Sequence, residues 1–177
     1  MTDRAGWVTD SQYTPSVWMH PLRQDEAGCQ KAIGNFVVGT LTGYDKRAAD
    51  GGGDSHFFSM LIMDTNLTEA QVYTPSAGKE KGTYTPIPLT KAEVYSLRAP
   101  GNLFYQLKKY AADPSFTGVP LEITYMGLKD METDNEAGKR IKVKAHQYQV
   151  RRDPTFQPIM GQAAIMQLTH DAPPPEE

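Results

Sequence analysis

A single stretch of helical periodicity divides the chain into two groups of extended segments. Apolar residues recur at spacings of three and four from Leu103 to Ala111, which predicts one stripe of an amphipathic helix. Pro100 suits the first turn of this helix. The flanking segments are rich in β-branched and aromatic residues, which favours a mainly β fold with a short helical segment. The predicted strands are residues 35–44, 56–63 and 70–74 before the helix, and residues 119–126 and 140–152 after it.

Glycine, proline and polar residues mark the connections between the predicted strands. Residues 45–55 contain three consecutive glycines and predict a polar loop. Residues 75–89 contain three prolines and two glycines, which predicts a long loop, and residues 128–138 predict another polar loop. Thr90 and Glu93 fit a capping box, so we expect an additional short helix to begin there.

The length of 177 residues and the change of composition along it predict one domain with two flanking segments. Residues 1–32 mix Trp7 and Trp18 with polar residues and show no clear period, so we interpret them as an N-terminal arm. Residues 33–153 contain every predicted strand and form the domain. Residues 154–177 are interpreted as a C-terminal segment whose apolar residues between 159 and 168 can dock on the domain. The segment ends in Ala-Pro-Pro-Pro-Glu-Glu, a composition that does not form a packed core, so we expect it to finish in a flexible acidic tail.

Several classes of protein are disfavoured by simple counts. No apolar run approaches the ~18 residues that a membrane-spanning helix needs, and the first residues lack the apolar core of a signal peptide. Cys29 is the only cysteine, which excludes an internal disulfide and, by the same count, a cysteine-based zinc site. We therefore expect a cytoplasmic protein in a reducing environment.

The order of the elements is three strands, a helical segment and then a two-stranded hairpin. This is the order of the OB-fold, a five-stranded Greek-key barrel. Gly39 and Gly43 in the first strand suit such a barrel, because a small barrel needs sharp bends there. An SH3-like barrel or an irregular β-sandwich would give a similar series of strands. The helix before the final hairpin favours the OB-fold-like barrel.

The region from about residue 35 to 152 resembles single-stranded-DNA-binding proteins of the OB type, in particular those of bacteriophages. The resemblance implies sequence-independent binding of single-stranded DNA in replication or recombination, in the host cytoplasm. The chain departs from bacterial proteins of this kind, which end in an acidic tip with a terminal Phe, because it ends in Pro-Pro-Glu-Glu. The segments that carry the resemblance are residues 36–44, 57–63, 103–110, 121–127 and 141–150.

The most strongly charged segment is residues 139–152, which contain six Lys or Arg and no acid. Alternation predicts that Lys142, Lys144, His146 and Tyr148 share one exposed face. Cations along the phosphates and flat rings for the bases are what a single strand requires. A solvated outer face without a ligand would show the same alternation. The residues predicted to face the core are Ile141, Val143 and Ala145.

Further candidate contacts come from loops that flank the binding groove of an OB-fold. Of the adjacent Phe57 and Phe58, one must face away from the other, so one ring is available for stacking. Four acids between residues 130 and 136 disfavour phosphate binding by the last of these loops. The predicted nucleic-acid-binding residues are Tyr44, Lys46, Arg47, Phe58, Tyr73, Lys79, Lys81, Tyr84, Lys129, Arg140, Lys142, Lys144, His146, Tyr148 and Arg151.

The net charge of −3 does not argue against a nucleic-acid partner once its distribution is considered. Asp171, Glu176 and Glu177 lie in the last seven residues, and the rest of the chain carries 18 acidic and 18 basic residues. The tail can therefore compete with DNA for the groove or recruit replication proteins.

No enzyme motif is recognised in the chain. Residues 77–82 lack the spacing of a phosphate-binding loop, the four histidines show no metal-ligand spacing, and Cys29 is interpreted as an ordinary small residue. We therefore predict a protein that is not an enzyme and uses no metal or cofactor. The alternatives are a structural or assembly component of a virion built on a β-barrel, and an accessory factor for nucleic-acid processing.

Overall fold

The computed structural model describes residues 14–21, 26–48, 53–74, 82–156 and 163–166. Within these ranges the chain is mainly β. The helices are α1 (Glu26–Ala32), α2 (Gly101–Ala112) and a short 3-10 turn (Pro114–Phe116); the strands are β1 (Phe36–Ala48), β2 (Asp54–Thr65), β3 (Glu69–Thr74), β4 (Thr83–Pro88), β5 (Glu93–Arg98), β6 (Leu121–Asp134) and β7 (Arg140–Arg152).

Five strands form one antiparallel sheet with the order β5-β2-β1-β6-β7. Strands β3 and β4 form a separate two-stranded sheet. The mainly β class, the five predicted strands and the helix before the last hairpin are confirmed. Within the described residues β5 and β7 are not paired with each other, so the sheet is not closed into a barrel.

Two predictions for residues 75–93 are wrong. The predicted long loop contains β4, which pairs with β3. The helix predicted at Thr90 is a turn that leads into β5, where Tyr95 and Leu97 pair with β2 and are buried in the core. Burying one such side chain stabilises the fold by about 1.5–3 kcal/mol, which exceeds the ~1 kcal/mol of a helix cap.

The polar loop predicted at residues 128–138 is also wrong for most of its length. Strand β6 continues to Asp134 and pairs with β7 as far as Arg140, so the two strands form a long β6–β7 ribbon. The turn of the ribbon is held by the Asn135 side chain, which accepts hydrogen bonds from two backbone N–H groups. Polar composition alone therefore does not separate a loop from a solvated ribbon.

Helix α2 contributes its apolar stripe to the core. Leu103, Leu107 and Ala111 are fully buried and belong to one cluster with Leu121 and Ile123 of β6, which confirms the periodicity. In the part of the chain that the structure describes, no helix is both long enough and apolar enough to cross a membrane.

Each edge of the five-stranded sheet is covered over part of its length in the described residues. The N-terminal segment (residues 14–21) exchanges two backbone hydrogen bonds with Ser96 of β5. On β7, the Asn102 side chain accepts a hydrogen bond from Tyr148 N–H at 3.0 Å, and the Gln106 amide donates to the Tyr148 carbonyl at 2.8 Å. The Gln106 carbonyl also accepts from the N–H of Val150 at 3.1 Å. Side chains of α2 thus replace a neighbouring strand at this edge.

Replacing Gln106 with alanine should destabilise the protein by about 1–3 kcal/mol, because it leaves two half-buried backbone groups of β7 without their partners. Urea denaturation followed by circular dichroism measures this loss. Tyr105→Ala is the control, since Tyr105 is 72% exposed on the same helix and should change the free energy of unfolding little. An equal loss in the free energy of unfolding for both variants would contradict the role of the Gln106 hydrogen bonds in holding the edge of β7.

Candidate nucleic-acid interface

The predicted basic row of β7 runs from Lys142 to Tyr148, and only its His146–Tyr148 end packs into the fold, while Lys142 and Lys144 are exposed. Tyr148 is only 7% exposed, whereas Ile141 on the opposite face is 37% exposed. The prediction that Ile141, Val143 and Ala145 face the core is therefore wrong. Alternation determines which residues share a face, but it leaves open which face meets the core, and here the burial of the large tyrosine ring decides it.

The basic residues of the β6–β7 ribbon lie directly opposite acids. A bulge between Tyr125 and Gly127 shifts the register of β6, so that its even-numbered acids share the inner face with the basic row. Cross-strand partners lie on the same face of a sheet, so acidic side chains of β6 stand beside the cations of β7. The three opposed pairs are Asp130–Lys144, Glu132–Lys142 and Asp134–Arg140.

Most of the predicted cations also take part in ion pairs. Among the described residues, Lys129 and Lys142 are exposed and take part in none of the ion pairs named in the next sentence. Arg151 does form an ion pair, but it lies on the opposite face of the sheet from Tyr148. The ion pairs of predicted binding residues are Lys46–Asp54 (3.8 Å), Arg47–Asp45 (2.8 Å), Arg140–Glu132 (3.1 Å), Lys144–Glu26 (2.6 Å) and Arg151–Glu122. The electrostatic part of the predicted interface is therefore weaker than the count of cations suggests.

The predicted stacking role of Phe58 is wrong, because its ring is fully buried in the core. Its neighbour Phe57 is only half-buried, and the Arg47 guanidinium lies 4.5 Å from the centre of the Phe57 ring. Tyr44 packs on Phe58 at 5.1 Å between ring centres and hydrogen-bonds His56 at 2.6 Å. Of the two adjacent phenylalanines, Phe57 is thus the one that remains accessible.

A cavity of about 260 Å³ lies between the N-terminal segment, β4, β7 and the end of β5. Trp18 and Tyr84 meet edge to face on its wall, with ring centres 4.7 Å apart. Phe57 contributes a third ring, and the exposed Arg98 contributes a cation. Tyr73 packs on the outer side of Tyr84 at 5.1 Å. The cavity thus combines flat rings with a positive charge, and Trp18, Phe57 and Arg98 had no place among the predicted binding residues.

The inner end of the cavity is a network of histidines and tyrosines. The His20 and His146 rings stack with centres 3.7 Å apart. His146 Nδ1 hydrogen-bonds the Tyr125 hydroxyl at 2.8 Å, and the Tyr148 hydroxyl hydrogen-bonds His20 Nε2. Burial and the neighbouring His20 lower the pKa of His146 to about 4, and burial lowers the pKa of His20. Burial also raises the pKa of both tyrosines, so all four groups are neutral at pH 7.

Cys29 completes this network from α1. Its sulfur and one ring nitrogen each of His20 and His146 lie within 4.8 Å of one another. Imidazole and thiolate are ligands of zinc and related ions, so the sequence-based exclusion of a metal site overlooked this group. No spacing signal could have found it, because the three residues come from the N-terminal segment, α1 and β7 and meet only in the fold.

Some predicted residues lie outside the described ranges. These are Lys79 and Lys81 of the predicted long loop and the acidic residues 171–177. Their assigned roles in binding DNA or partners stay predictions.

Comparison with known proteins leaves the family open. No protein-family model matches the chain, and no curated protein matches it.

Proposed function

We propose that this protein binds single-stranded DNA without sequence preference and acts in replication or recombination without catalysis. The observation that carries the proposal is the cavity that Trp18, Phe57, Tyr84 and Arg98 line. Proteins that bind single strands stack bases on aromatic side chains and hold the backbone with cations. Three rings that are each at least partly exposed, beside the exposed guanidinium of Arg98, supply both elements in one place.

The cavity suits a base better than a longer ligand. Its volume of about 260 Å³ is close to the lower end of the ~300–1,000 Å³ range of small-molecule sites. Arg47 lies over Phe57 on the side of the β1–β2 hairpin, where it also forms an ion pair with Asp45. A strand could therefore place one base in the cavity and continue along the exposed rims of the hairpins.

The order of the strands supports an OB-type architecture for this function. If the β3–β4 hairpin is set aside, β1, β2, β5, β6 and β7 correspond in order to five OB strands, with α2 between the third and the fourth. In that correspondence the β1–β2 and β6–β7 hairpins flank the binding groove. The N-terminal segment and α2 occupy the place where β5 and β7 would close a barrel.

Fluorescence anisotropy with a labelled oligo-dT tests the proposal against duplex DNA of equal length at two salt concentrations. We expect tighter binding of the single strand and weaker binding at the higher salt, because cations on the protein release condensed counterions from the DNA. Affinity for duplex equal to that for single strand, or affinity that ignores salt, would contradict the proposal.

Trp18→Ala should weaken the binding of oligo-dT about tenfold or more, since stacking one base on an aromatic ring contributes about 1–3 kcal/mol. Tyr105→Ala removes an exposed ring on α2 that does not line the cavity and should leave the affinity unchanged. Circular dichroism confirms that both variants are folded. Retained affinity in folded Trp18→Ala would show that the cavity is not the base site.

A second candidate function, a virion assembly component, has one observation in its favour. Met126, Met131 and Ile141 of the β6–β7 ribbon are each more than a third exposed. Exposed apolar surface of this kind is a feature of protein–protein contacts. Sedimentation of the DNA-free protein separates the two functions, because large assemblies without DNA favour the structural component.

A further inference from the structure

Three potential metal ligands converge at the inner end of the cavity. His20 comes from the N-terminal segment, Cys29 from α1 and His146 from β7. Their ligand atoms lie within 4.8 Å of one another, and Cys29 is buried while the two histidines are half-buried. We propose that these three side chains bind one divalent transition-metal ion of the zinc type. This site does not depend on the DNA-binding function and is tested without DNA.

The hydrogen bonds of the two histidines leave the correct nitrogen for a metal. His20 Nδ1 lies 3.0 Å from the carbonyl of Pro21, so Nδ1–H donates there and Nε2 keeps its lone pair. His146 Nδ1 hydrogen-bonds the Tyr125 hydroxyl at 2.8 Å; when Nδ1–H is the donor of this bond, Nε2 carries the lone pair that a metal needs. Metal-bound histidines usually have this arrangement, with the second ring nitrogen donating to a carbonyl or another oxygen.

Tyr125 connects the second histidine to the cysteine. Its hydroxyl hydrogen-bonds His146 Nδ1 at 2.8 Å, and burial together with a hydrogen bond to Cys29 raises the pKa of Tyr125. In the proposed site the hydroxyl accepts from His146 Nδ1–H and donates to the Cys29 sulfur. This direction of hydrogen bonding fixes the imidazole in the tautomer that binds metal. One fully buried tyrosine thus orients two of the three ligands.

Metal binding requires the two imidazoles to turn out of their parallel stack, in which the ring centres lie 3.7 Å apart, so that both lone pairs point at one ion. Zn–N distances of about 2.0–2.1 Å and a Zn–S distance of about 2.3 Å bring tetrahedral ligand atoms to roughly 3.5 Å from each other. The ligand atoms therefore have to approach by about 1 Å, and the hydrogen bond between Tyr148 and His20 Nε2 is replaced by a metal bond. Cys29 loses its proton to solvent, while both imidazoles are already neutral, so one proton is released for each ion bound.

The ligand set also indicates where the fourth coordination position of the metal lies. Three protein ligands with one position left open are typical of zinc sites that accept a further ligand. His20, His146 and Tyr148 all line the cavity, so the fourth position faces it. A water molecule, the Tyr148 hydroxyl or an entering anionic group can occupy that position.

Titration of the full chain with Co²⁺ tests the site, using protein without a histidine tag that has been reduced and treated with a chelator. We expect one equivalent of Co²⁺ per chain, a thiolate-to-cobalt charge-transfer band, and visible bands of tetrahedral intensity that Zn²⁺ removes. Because Cys29 is the only cysteine, the charge-transfer band by itself identifies it as a ligand. A band that is absent at micromolar Co²⁺, or that grows with protein concentration because two chains share one ion, would overturn the proposal.

Variants then assign the individual ligands. Cys29→Ser should abolish the charge-transfer band, and His20→Gln should weaken Co²⁺ binding at least tenfold. His56→Gln is the matched control, because His56 stacks on Phe104 at 3.7 Å away from the cluster and should leave Co²⁺ binding unchanged. Zinc should also raise the unfolding temperature of the parent protein and of His56→Gln but not that of Cys29→Ser. Equal stabilisation of all three proteins would contradict the assigned ligands.

Discussion

Gly39→Ala should destabilise the protein by about 3 kcal/mol or more, because the added methyl group meets backbone that cannot move aside. A Cβ at Gly39 would lie 2.0 Å from the Leu61 carbonyl oxygen and 3.1 Å from the Ile62 Cα. These atoms belong to β2, and β1 is held between β2 and β6 in the sheet. Relief of the clash must therefore separate paired strands.

Thermal and urea unfolding measure this loss. A loss of about 3 kcal/mol corresponds to a fall of roughly 6–12 °C in Tm for a domain of this size. Gly43→Ala is the matched control in the same strand, since its Cβ would lie 3.5 Å from the Ser59 side chain, an ordinary contact. We expect Gly43→Ala to change stability by less than about 1 kcal/mol. Similar Tm values for the two variants would contradict the close approach of β1 and β2 at Gly39.

The parts of the fold that the sequence could predict are those with one dominant local signal. The α2 stripe from Leu103 to Ala111 was confirmed because its apolar spacing and its burial agree. Strand β5 was missed because Thr90 and Glu93 satisfy a helix-capping pattern, and only the buried Tyr95 and Leu97 decide in favour of the sheet. Such a decision depends on β2, about thirty residues earlier in the chain, and therefore no local pattern contains it.

The candidate site was predicted in part, for a related reason. The sequence assigned Lys142 to Tyr148 to one row, and these residues do alternate with those of the other face. Which of the two faces is turned toward the core depends on packing, and the alternation does not show it. It also emphasised lysines, whereas the cavity brings Trp18 of the predicted arm against Tyr84 of β4. When an aromatic residue lies in a segment without periodicity, the sequence does not indicate which residues it contacts in the fold.

The acids of the β6–β7 ribbon provide the second test with a large expected effect. The triple variant Asp130→Asn, Glu132→Gln and Asp134→Asn removes three negative charges and nearly preserves the shapes of the side chains. If the ribbon contacts DNA, Arg140 loses its ion pair with Glu132 and Lys142 loses the acid opposite it, while Lys144 keeps its ion pair with Glu26. Affinity for oligo-dT at low salt should therefore rise about tenfold. The dependence of log K on log salt should steepen by up to about 1.4, since each phosphate contact on a single strand contributes about 0.7 to the slope and Arg140 and Lys142 can add one contact each.

Stability should change much less than affinity in this variant, because exposed ion pairs each contribute only about 0–1 kcal/mol. Glu122→Gln is the control: it releases Arg151 on the outer face of the sheet, so it frees one cation away from the proposed interface. Anisotropy titrations at several salt concentrations compare the three proteins. Unchanged affinity and slope in the triple variant would restrict DNA contact to the cavity around Trp18, whereas the expected increase would mean that the opposed acids of the ribbon limit how tightly this protein holds a single strand.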